Sequence, residues 1–371
     1  MSAAITPIVM PKWGLSMREG KVTAWLVEEG AAIEVGMPIV EVETDKIANA
    51  VEAPDPGLLR RRVAQEGETL PVKALLGVLA PAEVSDSEVD AYIAGYVVPA
   101  PEAGEEEAEP AYQFIDVEGI RVRYVQRGAA RRVPVLFIHG FGGDLDNWLF
   151  NLDAVAERHP VIAIDLPAHG QSDAKLPGAG LAVLAAFVVR FLDRIDVTRV
   201  HIVGHSMGGA IAAQLALSYP QRVASLALIN SAGLGAEINT GYTEGFVAAT
   251  SRRELKPVVE QLFADPQLVS RQMLDDLLKY KRLDGVTEAL ATLGTALFGA
   301  GRQTASPGLQ LEATGKPVLI VWGAEDRIIP AAHAANAPPG ATVEIFEGAG
   351  HMVMLEKASE INAVLKRHFA G

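Results

Sequence analysis

The chain has 371 residues, of which 49% are hydrophobic, with a net charge of −14 and no cysteine. The absence of cysteine excludes disulfides, a thiolate nucleophile and cysteine metal sites. No apolar run reaches the roughly 18 residues of a membrane helix. The first residues also lack the basic start and apolar core of a signal peptide, so we expect a cytoplasmic protein without membrane contact. A chain of this length is predicted to form about two or three domains.

The first 80 residues contain an internal repeat with an offset of 37. GKVTAWLVEEG from Gly20 matches GLLRRRVAQEG from Gly57, so that Gly30 corresponds to Gly67. Alternating apolar residues between regular glycines predict short strands. Two similar halves of about four strands each predict a small all-β flattened barrel or sandwich, with Lys46 in the turn at their junction.

Lysines in turns are usually only solvated, but the repeat puts Lys46 at a unique exposed tip. The stretches MPKWGLSMREGKVTAWLVEEG, EVETDKIANAVEAPDPG and EGETLPV resemble the lipoyl domains of 2-oxo acid dehydrogenase-type complexes over about residues 5–80. The resemblance implies (R)-lipoate in amide linkage on Lys46. Biotin-carrying domains usually place their lysine between methionines, which Thr44-Asp45-Lys46-Ile47 does not match.

Most of the net charge lies in one segment. Residues 81–111 contain nine acidic residues and no basic one, and they are rich in proline, alanine and glutamate. This composition predicts an acidic linker that is stretched by self-repulsion and lets the preceding domain travel. Ser85, with Glu88 three residues later, predicts the start of a short helix in it. The acidic balance argues against nucleic acid as a partner.

From about Tyr112 the pattern changes to strands that alternate with helical stretches. Buried apolar strands are predicted for PVLFIHG, VIAIDLP, RVHIVGHS, ASLALIN and PVLIVWG. This alternation predicts a doubly wound, mostly parallel α/β sheet over residues 112–371. Residues 233–315 interrupt the strands and predict a helical cap that shapes the substrate site.

The strongest chemical signal is the G-x-S-x-G run GHSMG, centred on Ser206, between a buried strand and an amphipathic helix. A sharp turn in this context exposes the serine hydroxyl. A glycine-rich turn with an incidental serine is the alternative, which the strand–turn–helix context disfavours. Ser206 is therefore the predicted nucleophile, and it needs a base to take its proton.

The base and its orienting acid are expected after the nucleophile in this fold class. His351 follows a strand and a loop and precedes a helix, whereas His333 and His368 lie in predicted helices. The G-x-x-D-x-x-x-P spacing in GAEDRIIP favours Asp326 over Glu325 as the acid that holds the tautomer of His351. These two residues complete the predicted triad.

The oxyanion of an acyl transfer needs backbone donors, each of which contributes roughly 3–4 kcal/mol to lowering the barrier. The N–H of Met207, directly after the nucleophile, is one predicted donor, and that of Phe141 in the loop HGFGG is the other. The basic run KYKR, Lys279 to Arg282, is a candidate contact for an anionic ligand such as a coenzyme A phosphate. A solvated helix face is the stronger expectation for it.

HGFGG, DLPAHGQS, GHSMGG, GAEDRIIP and GAGHMVMLE stand in the order found in the α/β-hydrolase superfamily, which residues 112–371 resemble. Asp165 in DLPAHGQS is expected to be structural rather than catalytic.

A lipoyl domain, an acidic tether and an α/β-hydrolase domain together resemble the dihydrolipoamide acetyltransferase family of acetoin dehydrogenase complexes. The resemblance implies an acyltransferase of acetoin catabolism that moves an acetyl group from S-acetyl-dihydrolipoyl-Lys46 to coenzyme A through acetyl-Ser206. The implied partners are thiamine-diphosphate-dependent acetoin dehydrogenase subunits, dihydrolipoamide dehydrogenase and a lipoyl ligase, and no metal is expected. The basic subunit-binding domain and H-x-x-x-D-G motif of ordinary lipoyl acyltransferases are missing, so their trimer-based core is not expected.

Two alternatives stay open from sequence. The second domain is a thioesterase or esterase tethered to a lipoyl carrier, or the protein is an acyl carrier whose hydrolase-like domain has no activity. An intact Ser206, Asp326 and His351 argue against the second alternative. The first uses the same triad, so sequence alone does not separate water from a thiol as the acceptor.

Overall fold

The structure of the protein is a computed structural model that describes residues 5–13, 17–44, 48–53, 55–99, 112–128 and 131–370. The chain divides into two compact units, Met1–Pro110 and Ala111–Gly371. Among the described residues, no helix is both long enough and apolar enough to cross a membrane.

Among its described residues, the first unit contains eight short strands in two four-stranded sheets, as the repeat predicts. The strands are β1 (Thr6–Val9), β2 (Glu19–Trp25), β3 (Ala32–Ile33), β4 (Pro38–Glu43), β5 (Ala48–Glu52), β6 (Gly57–Arg62), β7 (Thr69–Pro71) and β8 (Leu75–Ala80). One sheet has the order β1-β8-β6-β3 and the other has β5-β4-β2-β7. Because side chains alternate along a strand, each sheet turns one face inward, and both contribute to a core that includes Val22, Ile39 and Leu59.

The internal repeat is visible as reciprocal hydrogen bonds between the two halves. The Gly30 N–H donates to the Leu59 carbonyl over 2.7 Å, and the Gly67 N–H donates to the Val22 carbonyl over 2.7 Å. Each residue of the first bond lies 37 positions from its counterpart in the second. The two glycines have φ values of 86° and 87°, which glycine adopts without steric cost. Glycine is therefore required at the same turn in each half.

The hairpin of β4 and β5 carries the predicted modification site. Its last described pair is Glu43 with Ala48 in antiparallel register. Lys46 lies in the sequence between these two residues, outside the described part of the chain, so its role stays a prediction.

A helix, α1 (Asp86–Gly95), follows β8 in the first unit and packs against that strand. The Ser85 hydroxyl accepts the Glu88 N–H while the Glu88 carboxylate accepts the Ser85 N–H, which is a capping box. Val89 is fully buried and belongs to one apolar cluster with Val78 of β8. This part of the acidic segment is thus folded onto the first unit.

The second unit contains one eight-stranded sheet with the order β16-β15-β14-β13-β11-β12-β10-β9. Its strands are β9 (Gln113–Val117), β10 (Ile120–Arg127), β11 (Val135–Ile138), β12 (Val161–Ile164), β13 (Val200–His205), β14 (Val223–Ile229), β15 (Val318–Gly323) and β16 (Thr342–Phe346). Strands β11 to β16 pair in parallel, and β9 and β10 add two antiparallel pairs at one end. The mostly parallel sheet predicted from the alternating pattern is confirmed.

Helices cover this sheet and connect its strands. They are α2 (Leu152–Ala156), α3 (Leu181–Arg194), α4 (Met207–Ser218), α5 (Thr240–Ala248), α6 (Arg252–Val259), α7 (Arg271–Lys281), α8 (Val286–Phe298), α9 (Val353–Glu356) and α10 (Ala358–Phe369). The strands β11, β12 and β15 are buried along their whole length, which explains why they read as continuous apolar runs. Helices α5 to α8 all lie between β14 and β15 in sequence, within the predicted cap segment 233–315.

Candidate active site

Ser206 occupies the turn between β13 and α4, at the carboxyl edge of the sheet. Its backbone has a φ of 52° and a ψ of −119°, a sparsely populated conformation that stores strain. Glycines make the turn possible, because a Cβ on Gly204 would lie 2.6 Å from the Gly208 carbonyl oxygen. A Cβ on Gly208 would lie 2.3 Å from the Ile138 carbonyl oxygen. The G-x-S-x-G spacing thus reflects how closely β11, β13 and α4 pack at this point.

The predicted acid and base lie together at the same edge. His351 Nδ1 and Asp326 Oδ2 are 2.8 Å apart, and both side chains are buried. Asp326 follows the end of β15, and His351 follows the loop after β16. Because β13, β14, β15 and β16 run parallel, their carboxyl ends bring residues from distant parts of the sequence to one edge.

The Asp326 carboxylate accepts five hydrogen bonds. Its donors are His351 Nδ1, Asn230 Nδ2, Trp322 Nε1 and the backbone N–H groups of Ile328 and Ile329. Burial acts to raise the pKa of Asp326, but the charge of His351 and these donors outweigh it and hold that pKa below its ordinary value. The carboxylate is therefore ionised at neutral pH and favours the tautomer that carries the proton on His351 Nδ1.

The residue before the nucleophile supports the histidine. His205 Nε2 lies 2.8 Å from the His351 carbonyl oxygen, and the two ring centroids are 4.7 Å apart. Burial lowers the pKa of His205 to about 3, so this ring stays neutral and donates from Nε2. Within the described part of the chain no hydrogen bond joins Ser206 Oγ to His351 Nε2. Such contacts in free enzymes often tighten only when substrate binds.

The loop after β11 lies directly against the nucleophile. A Cβ on Gly140 would come within 2.9 Å of Ser206 Cβ, so only glycine allows this approach. The backbone N–H groups of Phe141 and Met207 donate to no acceptor among the residues the structure describes. The Met207 N–H is also one of the unpaired donors at the start of α4. Two unpaired donors beside the serine suit an oxyanion site.

The cap covers this loop with aromatic side chains. The Phe141 ring meets those of Phe246 in α5 and Phe298 in α8 edge to face, each with a centroid distance of 6.2 Å. Gly142 lies under Phe246, since a Cβ there would be 2.7 Å from the ring. Only 6% of Ser206 is exposed. The site is thus largely shielded from solvent.

The other two acids considered from sequence have structural partners. The Glu325 carboxylate accepts the N–H groups of Gly348 and Ala349, in the loop that leads to the histidine. Asp165 forms a buried ion pair with Arg123, with 2.5 Å between Oδ2 and Nε. Neither acid contacts the imidazole of His351.

The basic run at the end of α7 bonds to the protein itself. Lys281 is buried, and its Nζ donates to the carbonyl oxygens of Phe246 and Ala249. Lys279 pairs with Asp276 at 2.8 Å on the surface. Lys281 is therefore not available to an anionic ligand, and its role is to join α7 to α5.

Sequence reasoning missed the residues that hold Asp326 and His351 in place. The His351 carbonyl oxygen accepts a hydrogen bond from His205, and the Asp326 carboxylate accepts from Asn230 and Trp322. The sequence assigned no role to these three donors. Asn230 directly follows β14. Its φ of 44°, unusual for a non-glycine residue, has no signature in the sequence.

This fold and site define a protein of the α/β-hydrolase class that carries an additional lipoyl-type domain. A family model described as alpha/beta hydrolase fold matches residues 133–358, and one described as biotin-requiring enzyme matches residues 6–79. A meta-cleavage product hydrolase from Pseudomonas fluorescens shares the fold, with a TM-score of 0.63 and 21% identity. The alignment covers 70% of this chain and 97% of that one.

Two curated relatives extend over both units. A protein of Cupriavidus necator is 66% identical over 371 residues, which is 100% of this chain and 99% of the relative. A protein of Pseudomonas putida is 48% identical over 370 residues, which is 98% of this chain and 99% of the relative. Both are called dihydrolipoyllysine-residue acetyltransferase component of acetoin cleaving system. The chain belongs to the family that these two proteins represent.

Proposed function

We propose that the protein transfers an acetyl group from S-acetyl-dihydrolipoyl-lysine to coenzyme A, as the acetyltransferase component of an acetoin cleaving system. The 2.8 Å pair of Asp326 and His351, at the same sheet edge as Ser206, is the observation that carries the proposal. The names of the two full-length relatives support the same activity.

In the first half-reaction Ser206 Oγ attacks the carbonyl carbon of the thioester while His351 Nε2 takes the hydroxyl proton. The Phe141 and Met207 N–H groups bind the oxyanion of the tetrahedral intermediate. As the carbon–sulfur bond breaks, His351 gives its proton to the departing thiol. Asp326 keeps the imidazole in the required tautomer and stabilises its charged form.

In the second half-reaction the thiol of coenzyme A accepts the acetyl group from Ser206. His351 removes the proton of the coenzyme A thiol, and the sulfur attacks the acetyl-serine carbonyl. The bond between the carbonyl carbon and Ser206 Oγ then breaks, and Oγ takes the proton held by His351. Acetyl-coenzyme A is released. The low exposure of Ser206 and the aromatic cap over Phe141 limit the bulk water at the acetyl-serine, which favours a thiol acceptor that binds at the site.

We further propose that Lys46 carries lipoate in amide linkage. The lipoyl group supplies the thiol that holds the acetyl unit. The first domain then comprises residues 1–80 and the second comprises residues 112–371. The acidic segment 81–111 between them supplies reach, with α1 packed on the first domain. A thiamine-diphosphate-dependent acetoin dehydrogenase, dihydrolipoamide dehydrogenase and a lipoyl ligase are the enzymes expected to meet Lys46.

The test uses purified full-length protein with S-acetyl-dihydrolipoamide, with and without coenzyme A. Acetyl-coenzyme A and free acetate are quantified by mass spectrometry, with Ser206→Ala as the matched variant. We expect acetyl-coenzyme A from the wild type and none from the variant. Acetate formed at the same rate with or without coenzyme A would instead identify a thioesterase. Intact-mass analysis of the wild type and of Lys46→Arg, expressed with a lipoyl ligase, tests the attachment site separately.

A further inference from the structure

The loop that carries the histidine is fastened on two sides. On the sheet side, Glu325 accepts the N–H groups of Gly348 and Ala349, and Asn230 Nδ2 donates to the Gly350 carbonyl oxygen. These contacts fix the loop up to the residue before His351. The N–H groups of Gly350 and Met352, in the same segment, donate to other partners.

Those partners connect the loop to the cap. One oxygen of Glu356, the last residue of α9, accepts the Gly350 N–H over 2.7 Å. Its other oxygen accepts the N–H of Ala264, in the cap segment between α6 and α7, over 2.7 Å. The Met352 N–H donates to the carbonyl oxygen of Leu262 in the same cap segment, over 3.1 Å. A single carboxylate thus bridges the residue before the histidine and the cap.

The loop that carries His351 and the cap segment are in close contact as well as hydrogen-bonded. A Cβ on Gly350 would lie 2.7 Å from the Ala264 nitrogen and 2.8 Å from the Leu262 carbonyl oxygen, so the two backbones touch without room for a side chain. Burial raises the pKa of the Glu356 carboxyl, against the effect of the backbone N–H groups it accepts. A partly buried carboxylate is tolerated where hydrogen bonds compensate for lost water, as they do here.

We propose that Glu356 is a positioning residue that locks the loop of His351 to the cap, so that the imidazole is aligned only while cap segment 262–264 is seated. The inference rests on the proposed role of His351 as the base. Its physical basis is that the Gly350 peptide lies next to the catalytic histidine. A shift of about 1 Å in a catalytic group can cost on the order of a hundredfold in rate.

Removing the carboxylate leaves two N–H groups without an acceptor. Glu356→Ala removes both acceptor oxygens, and Glu356→Gln keeps one and puts an amide donor against the other N–H. Glu360→Gln on α10 is the matched control, because Glu360 is exposed and lies only four residues further along the chain. We expect both Glu356 variants to lower the rate constant of serine acylation 10- to 100-fold, with KM within about twofold of the wild type.

The experiment measures the burst of p-nitrophenolate from p-nitrophenyl acetate by stopped flow. The full-length protein is used, at a temperature where each variant is folded by circular dichroism. This reaction reports acylation of Ser206 whichever acceptor follows. An unchanged acylation rate in either folded Glu356 variant overturns the inference. A change in KM with no change in the acylation rate overturns it as well.

A second readout separates this inference from the proposed function. The proton on His351 Nδ1, bonded to Asp326, should give a downfield imidazole resonance that is assigned by its loss in His351→Gln. We expect the resonance to shift or broaden in Glu356→Ala and to stay unchanged in Glu360→Gln. If the wild type forms no acetyl-coenzyme A from S-acetyl-dihydrolipoamide, the proposed function fails, and a shifted resonance still supports the role of Glu356. An unshifted resonance rejects that role.

Discussion

Replacing Asn230 by alanine tests whether the triad acid depends on a neighbour outside every recognised motif. Asn230 Nδ2 donates to Asp326 Oδ2 over 2.7 Å and to the Gly350 carbonyl over 3.2 Å, and the residue is fully buried. A bond to a charged group contributes about 1.5–3 kcal/mol and a neutral bond about 0.5–1.5 kcal/mol. At the φ of 44°, alanine costs about 1 kcal/mol more than asparagine. We expect the free energy of unfolding of the second unit to fall by about 3–5 kcal/mol.

Activity should fall together with stability. Loss of one donor from Asp326 moves its pKa upward and loosens the orientation of His351, so we expect acylation to slow 10- to 100-fold. Scanning calorimetry of the full-length protein follows the unfolding transition of the second unit, and the p-nitrophenyl acetate burst follows acylation. Asn230→Gly is the matched variant, because it loses the same two bonds without the backbone cost. It should be about 1 kcal/mol more stable than Asn230→Ala.

Two results would refute this reasoning. If both Asn230 variants unfold like the wild type, the two hydrogen bonds contribute nothing net to stability. If both lose stability but acylate at the wild-type rate, Asn230 holds the fold and has no influence on the catalytic pair. Equal stability of the alanine and glycine variants would show that the positive φ carries no cost at this position.

Three further changes test other parts of the site. Gly140→Ala brings a Cβ within 2.9 Å of Ser206 Cβ. It should slow acylation about a hundredfold at little cost in melting temperature. An unchanged burst rate would contradict the close approach. Arg123→Met leaves Asp165 buried without its cation, so we expect calorimetry to show a loss of about 3–5 kcal/mol that the added Asp165→Asn change largely restores. His205 has a pKa of about 3 when folded against an ordinary value of 6.5, so its contribution to stability is complete above pH 6.5 and disappears as the pH falls toward 3. In melting curves measured across this range, His205→Gln should flatten the decline, and an unflattened decline would contradict the low pKa.

The sequence was sufficient wherever a pattern has a local cause. The 37-residue repeat predicted two similar halves, because each half needs glycine at the same left-handed turn, at Gly30 and Gly67. The G-x-S-x-G run predicted where the turn at Ser206 lies, because a Cβ on Gly204 would meet the carbonyl oxygen of Gly208 four residues on. The predicted exposure of the serine was wrong, since only 6% of Ser206 is exposed. Periodicity predicted the mostly parallel sheet for the same kind of reason.

Asp326 and His351 were predicted from the spacing of residues in their motifs and from the order of those motifs along the chain. Both indicate which strand each residue follows. That the two side chains meet at 2.8 Å could not be read from the chain, because 25 residues separate them and β16 lies between them. Spacing favoured Asp326 over Glu325 as the acid, but it gave no indication of what the Glu325 carboxylate binds. The structure shows that one acid faces the imidazole and the other binds the loop backbone.

The sequence by itself therefore determined the two kinds of domain and the candidate nucleophile, acid and base. Tertiary structure alone decided what holds them: Asn230 and His205 reach residues 96 and 146 positions away, and Glu356 reaches 92 positions back to the cap. The physical reason is that motifs record constraints between neighbours along the backbone. A supporting hydrogen bond requires only that a donor and an acceptor meet after folding, and many sequences can place them there.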